Sequence, residues 1–205
     1  FKAQAAHGAE TGVKKTDMFR VPPQDLYEEE GFNQRDYNSP ECVAQIEGFA
    51  KAYAAGEYVP PLVVRIDPSN GHKLIVEGHQ RRRGALLAIS RGVELPLLDC
   101  LPFRGNDVDR IVVQGRSERG LKLTPLGLSK LYLMLHRKGL SNAEIATRMD
   151  VSVTTVESML SLAEAPSDVQ TMVKDGTVAA SVAIDAVRKY GDKAGEKLAE
   201  KLVQA

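Results

Sequence analysis

Tryptophan is absent from this sequence, aromatic residues reach only 5%, and the 2 cysteines, Cys42 and Cys100, stand far apart. Two cysteines allow at most one disulfide; neither size nor composition demands it, and buried free thiols in a reducing cytosol are the expected state. No apolar run approaches the roughly 18 residues of a membrane-spanning helix, so no membrane partner is expected. An excess of one charge is missing too: 27 Lys plus Arg face 27 Asp plus Glu, for a net charge of zero. Bulk charge therefore offers nucleic acid no attraction, and any such contact must come from local patches. Repeats, low-complexity blocks and a long linker are also lacking. No leader is legible, and the chain opens at Phe1 rather than at a methionine, so it is expected to be a fragment.

What is present suffices for a substantial core: 43% of the 205 residues are hydrophobic, enough for one large domain or two small ones. Residues 1–17 show no periodicity and read as a tail. Met18–Val21 is a strand candidate stopped by Pro22-Pro23, and Glu28-Glu29-Glu30-Gly31 reads as an exposed turn. Ser39-Pro40 opens a helix with Val43, Ile46, Phe49 and Tyr53 at helical spacing, ended by Gly56. Leu62–Ile66 and Lys73–Glu77, joined by Asp67-Pro68-Ser69-Asn70-Gly71, read as a hairpin. A helix comes next, from about His79 to Ser90, then a strand over Leu95–Cys100. From about Asp107 the pattern turns helical and stays so. The change of domain is expected near residue 120, giving a small α+β domain over 18–120 and an all-helical domain over 121–205.

The junction of the hairpin with the next helix is the most informative stretch. A short apolar strand, Leu74–Val76, runs through Glu77 into Gly78, His79, Gln80 and then Arg81, Arg82 and Arg83. Cations at a helix N-terminus oppose its dipole. A bound anion would explain them: glycine lets phosphate approach, while helix amides and guanidinium forks hold it. The competing reading is a solvated basic patch. The anion reading fails if these side chains are already neutralised by carboxylates of their own chain, with no cavity beside Gly78.

A second constellation lies at residues 142–161, which fit a helix-turn-helix. Ser141 caps the first helix, Ile145 and Met149 point inward, and Ala146 permits a close crossing. Asp150 takes the tight turn where glycine is usual, because aspartate tolerates the left-handed conformation. The second helix starts at Ser152 or Val153, with Val156 and Met159 packing back. Its outer face would carry Ser152, Val153, Thr154, Thr155, Glu157 and Ser158, the residues expected to enter the major groove of double-stranded DNA. That face holds no Arg or Lys, so its hydroxyls can read base edges but add no electrostatic affinity. A plain helical hairpin is the competing reading.

Together the two constellations resemble the ParB partition-protein family, over roughly residues 18–190. The family signature Gly-Glu-Arg-Arg-x-Arg-Ala is matched at Gly78, Arg81 and Arg83; His79, Gln80 and Gly84 depart from it. Phe32-Asn33-Gln34-Arg35 is similar to a shortened family element, which makes Arg35 a candidate nucleotide contact. Leu123-Thr124-Pro125 matches a helix start that comes after a family Glu-Asn-x-x-Arg element. Counting back puts Arg116 and Ser117 at the Glu-Asn pair, or Gln114 and Gly115 with a longer loop.

The resemblance implies a ParB/sulfiredoxin-like α/β domain, then a helix-turn-helix domain, and with them a CTP-binding DNA clamp in chromosome or plasmid segregation. It implies nucleotide contacts at Arg35, Gly78, His79, Gln80, Arg81, Arg83, Arg116 and Ser117. It also implies self-dimerisation through the N-terminal domain, a ParA-type ATPase as partner, and a cytoplasmic, nucleoid-associated setting. In the family the signature glutamate and the Glu-Asn pair handle Mg²⁺ and the attacking water. With those carboxylates replaced, Mg²⁺ loses its usual oxygen ligands, and CTP binding is expected to outlast hydrolysis. No catalytic residue is assigned; His79 is a candidate base, ranked below a binding role. Two alternatives stand: a helix-turn-helix regulator that has lost nucleotide binding, and an ATP-using enzyme on the sulfiredoxin-like fold. The second needs a cysteine after the glycine, where His79 stands.

Overall fold

The structure, a computed structural model, describes residues 1–116 and 122–203. Along the chain run α1 (Lys2–Ala6), α2 (Gly8–Thr11), β1 (Phe19–Val21), β2 (Leu26–Tyr27), α3 (Pro40–Ala54), β3 (Leu62–Ile66), β4 (Lys73–Glu77), α4 (His79–Ser90), β5 (Leu98–Pro102) and α5 (Asp107–Arg116). The later helices are α6 (Pro125–Arg137), α7 (Asn142–Met149), α8 (Val153–Ala163), α9 (Ser167–Lys174), α10 (Ala180–Tyr190) and α11 (Ala194–Val203). The class is α+β, as the sequence pattern suggests: a sheet with helices, then helices alone.

The chain divides into two compact units, one of residues 1–29 and 40–104, the other of residues 30–39 and those from 105 onward. The change of unit therefore falls between Arg104 and Gly105, earlier than the expected position near residue 120. The reason is the apolar face of α5. Ile111 shares a buried cluster with Leu131, Leu135 and Ile145, so α5 belongs with α6 and α7 rather than with the sheet. Residues 30–39, irregular by pattern, join the same unit through Phe32, which is 1% exposed in that cluster.

In the first unit the strands lie in the order β1-β5-β3-β4-β2. The expected hairpin is antiparallel, with Val64 opposite Ile75. β5 joins β3 in parallel and β1 closes that edge antiparallel. The short β2, absent from the sequence reading, adds to β4 in parallel at the other edge. Leu26, Leu62, Val64, Ile75, Ala85, Leu98 and Cys100 form the core. Burial, with the charge of Asp99 adding to it, pushes the Cys100 thiol up to about 11, so it stays protonated at neutral pH. Both cysteines are free and buried. Residues 1–17, expected as a tail, carry α1 and α2, neither of which buries a residue.

α3 and α4 pack against each other at Gly84. A Cβ at that position would lie 2.5 Å from Phe49 Cβ and 3.0 Å from the Ile46 carbonyl oxygen. The helices thus touch backbone to backbone, a reason for glycine where the family signature has alanine.

In the second unit each of α6, α7 and α8 starts with a cap that the sequence announces. Thr124 accepts from the Gly127 amide at 3.1 Å, with Pro125 at the first helical position. Ser141 and Glu144 form a reciprocal capping box on α7. Ser152 accepts from the Thr155 amide at 3.1 Å at the start of α8. A second cluster, with Leu126, Leu162, Val169, Ala183, Ile184 and Leu198, holds α9, α10 and α11 to α6 and α8.

Candidate nucleic-acid interface and the arginine cluster

Gly78 stands at the N-terminus of α4 with φ 107°, a left-handed conformation that suits glycine, and no side chain caps the helix. That much matches the anion-site reading. The side chains around it do not. Arg81 donates to the Pro60 and Pro61 carbonyls at 2.9 and 2.6 Å and pairs with Glu77 at 3.1 Å. Arg82 donates to the Pro23 carbonyl at 3.1 Å and lies 3.6 Å from Glu28. Arg83 grips the same carboxylate with two nitrogens, Nε at 3.0 Å and Nη2 at 2.8 Å. Arg65, on β3, pairs with Glu29 at 3.1 Å. The guanidiniums thus meet carboxylates of their own chain, and Glu28, read from sequence as part of an exposed turn, is the centre of the network. The signal was the run of glutamates itself, but nothing local ties residue 28 to residue 83.

The space over Gly78 is also taken. A Cβ there would lie 2.7 Å from Leu62 Cγ and 3.3 Å from Arg81 Cζ. His79 and Gln80 are buried, and Gln80 Nε2 donates to Cys42 Sγ at 2.9 Å. Arg35 and Arg116 belong to the second unit. The Arg35 amide donates to the Asn33 side chain at 3.1 Å. Arg116 lines an open groove of about 680 Å³ between α5 and α7, beside Arg148. Ser117 lies outside the described residues. In the alternative register Gln114 is buried, and Gly115 packs against Met149.

The helix-turn-helix forms as its sequence indicates. Asp150 takes φ 56° and ψ 52° at the end of α7, and the Val151 amide returns to the Ala146 carbonyl at 3.0 Å. Among the described residues Asp150 is the sole non-glycine with positive φ. Ile145, Ala146, Met149 and Val156 are buried between the helices. Ser152, Val153, Thr154 and Glu157 are exposed, while Thr155 and Ser158 are half-buried.

A family model described as "Sigma-70, region 4" matches residues 125–165, which span α6 to α8. Among solved structures the chain is similar to the C-terminally truncated chromosome-partitioning protein ParB from Caulobacter crescentus complexed to the centromeric parS site. That likeness has a TM-score of 0.59 at 19% identity and covers 91% of this chain and 92% of that one. The same ParB complexed with CTP-gamma-S aligns with a TM-score of 0.39 at 20% identity, over 91% and 99% of the two chains. Among curated proteins none matches this sequence. The likeness to the parS-bound ParB is one of fold: an α+β unit, then helices that include a helix-turn-helix.

One residue beside α8 escaped the sequence reading. Arg188, exposed on α10, donates to Ser158 Oγ at 2.7 Å. Because the Ser158 hydroxyl donates its own proton to the Thr154 carbonyl at 2.8 Å, its oxygen is free to accept. No local pattern marks Arg188, because its position beside α8 is a product of tertiary packing.

Proposed function

We propose that this chain is a ParB-like protein that binds double-stranded DNA, with α8 entering the major groove. One observation carries the reading. α7 and α8 are locked at Asp150 and sealed inside by Ile145, Ala146, Met149 and Val156, while Ser152, Val153 and Thr154 stand in water at the start of α8. Recognition helices of this architecture contact base edges with those first residues. Val153 can pack on a thymine methyl, and the Thr154 and Thr155 hydroxyls can bond base edges, with Ser158 a turn further along the helix. The fold likeness to a ParB complexed to parS supports the reading, as does the match to sigma-70 region 4. By the same likeness it extends to a role in DNA partition, nucleoid-associated in the cytoplasm, with self-dimerisation through the first unit and a ParA-type ATPase as partner.

The test is fluorescence anisotropy with a random-sequence 24-bp duplex pool (~24 bp spans over two helical turns) and with duplexes selected from it. Val153→Asp combined with Thr154→Asp is expected to weaken binding by at least about tenfold, or about 1.4 kcal/mol, with helical content unchanged. Equal binding by both proteins removes α8 from the interface.

A nucleotide-gated clamp asks more of the first unit. As arranged, its residues do not fit a triphosphate: Glu28 and Glu77 hold the guanidiniums that would take it, and Leu62 fills the space over Gly78. No group of three or more His, Cys, Asp or Glu among the described residues is set to hold Mg²⁺. CTP binding at Arg81–Arg83 requires displacement of these carboxylates, and no hydrolytic step is assigned. Calorimetric titration with CTP, ATP and GTP, with and without Mg²⁺, separates the readings. CTP-selective heat lost in Arg81→Ala restores the gate, and silence with all three leaves a DNA-binding regulator.

A further inference from the structure

We infer that Arg188 on α10 is a DNA phosphate contact that supplies the cation α8 lacks. The inference rests on the DNA-binding reading and deepens it. The outer face of α8, over Val153, Thr154, Thr155, Glu157 and Ser158, contains no basic side chain and one acidic one. Affinity for a duplex comes largely from cations that replace the counterions of its phosphates, so a helix with this face needs help from a neighbour. α10 packs directly on α8 and gives that help at one point, where the Arg188 guanidinium meets Ser158 Oγ at 2.7 Å.

The chemistry of that contact is suited to exchange. Four cations of this unit are committed to carboxylates: Arg148 to Asp109 at 2.6 Å, Arg110 and Lys138 to Asp107 at 3.0 and 3.1 Å, and Lys197 to Glu200 at 2.7 Å. Among the described residues Arg188 shares with Lys130, Arg137 and Lys174 the absence of an ion pair and differs from them in bonding to α8 itself; its partner is a neutral hydroxyl. A guanidinium carries five donors, and a single bond to a serine leaves most of them for a second acceptor. The position favours phosphate over a base edge. Ser158 lies on the second turn of α8, past the residues that lead into a groove, and Arg188 approaches from an adjoining helix rather than from the tip.

The experiment is a salt titration of duplex affinity for the whole chain, using the random-sequence pool and a selected duplex. Arg188→Ala is expected to weaken both about tenfold and to flatten the slope of log K against log salt by about 0.9. Arg188→Lys restores the slope, whereas Ser158→Ala, which removes a hydroxyl but no charge, keeps it. If Arg188→Ala matches the parent in affinity and slope while Val153→Asp with Thr154→Asp still abolishes binding, the inference is overturned and the α8 reading survives. A loss that differs between sequences with an unchanged slope overturns the phosphate assignment. If the parent chain binds neither duplex, the DNA-binding reading falls and takes the inference with it.

Discussion

The arginine cluster of the first unit and the α8 face of the second use charge in opposite ways. The cluster is dense in cations, yet those cations hold its own loops: Arg83 and Arg82 share Glu28, and Arg81 ties Glu77 to two proline carbonyls. The α8 face has no cation of its own, yet Ser152, Val153 and Thr154 remain exposed, with Arg188 borrowed from α10. A count of arginines would choose the first region as the place where an anion docks. Partners decide otherwise, because a guanidinium already forked onto a carboxylate must give up that bond before it can take another.

The contrast breaks most completely at Val156. It is fully buried beneath α8, and Val156→Asp puts a charge into an apolar cluster with no partner. A loss of about 4 kcal/mol or more is expected, with the helical transition of the second unit lost from thermal circular dichroism. A smaller change sharpens the other side. Glu28→Gln leaves Arg82 and Arg83 without their shared carboxylate and should cost about 1–2 kcal/mol in denaturant unfolding. The same variant should bind inorganic phosphate or CTP more tightly than the parent. Weaker binding instead would give Glu28 a direct part in holding the nucleotide.

The mildest test is acid. The Asn106 amide and the Arg148 guanidinium hold the Asp109 carboxyl below its usual range. The Ser141 hydroxyl and amide do the same for Glu144, and Lys138 and Arg110 for Asp107. Each group binds its proton less readily folded than unfolded. Their contribution is therefore complete above the ordinary carboxylate value of about 4 and is lost as pH falls through the lowered ones. Protection factors of the first-turn amides of α7, that is the intrinsic exchange rate at each pH divided by the observed one, should fall over that range and stay level from about pH 5 to 7.

Legibility tracked sequence distance. The helix-turn-helix could be read because its determinants are local: Ser141 caps three residues from Glu144, Ile145 and Met149 repeat at helical spacing, and Asp150 sits where a left-handed residue is required. The hairpin, α3 and α4 were legible for the same reason. The pairing of Arg83 with Glu28 spans 55 positions and leaves no periodic trace. β2 is two residues long, too short for alternation to register. Phe32 joins the helical unit by packing into its buried cluster, with the Arg110 guanidinium 4.5 Å over its ring, and no pattern announces such contacts. Motif matching found Arg81 and Arg83 but carried nothing about which way they point.

Gly84 has a consequence for how descendants of this sequence will look. With the α3 backbone within 3.1 Å of where a methyl would sit, almost any replacement must lever two helices apart. An invariant glycine at this position, one residue beyond an arginine triplet, would invite interpretation as part of a ligand motif. It would instead be the fossil of a spacing rule between neighbouring helices, indifferent to anything that binds.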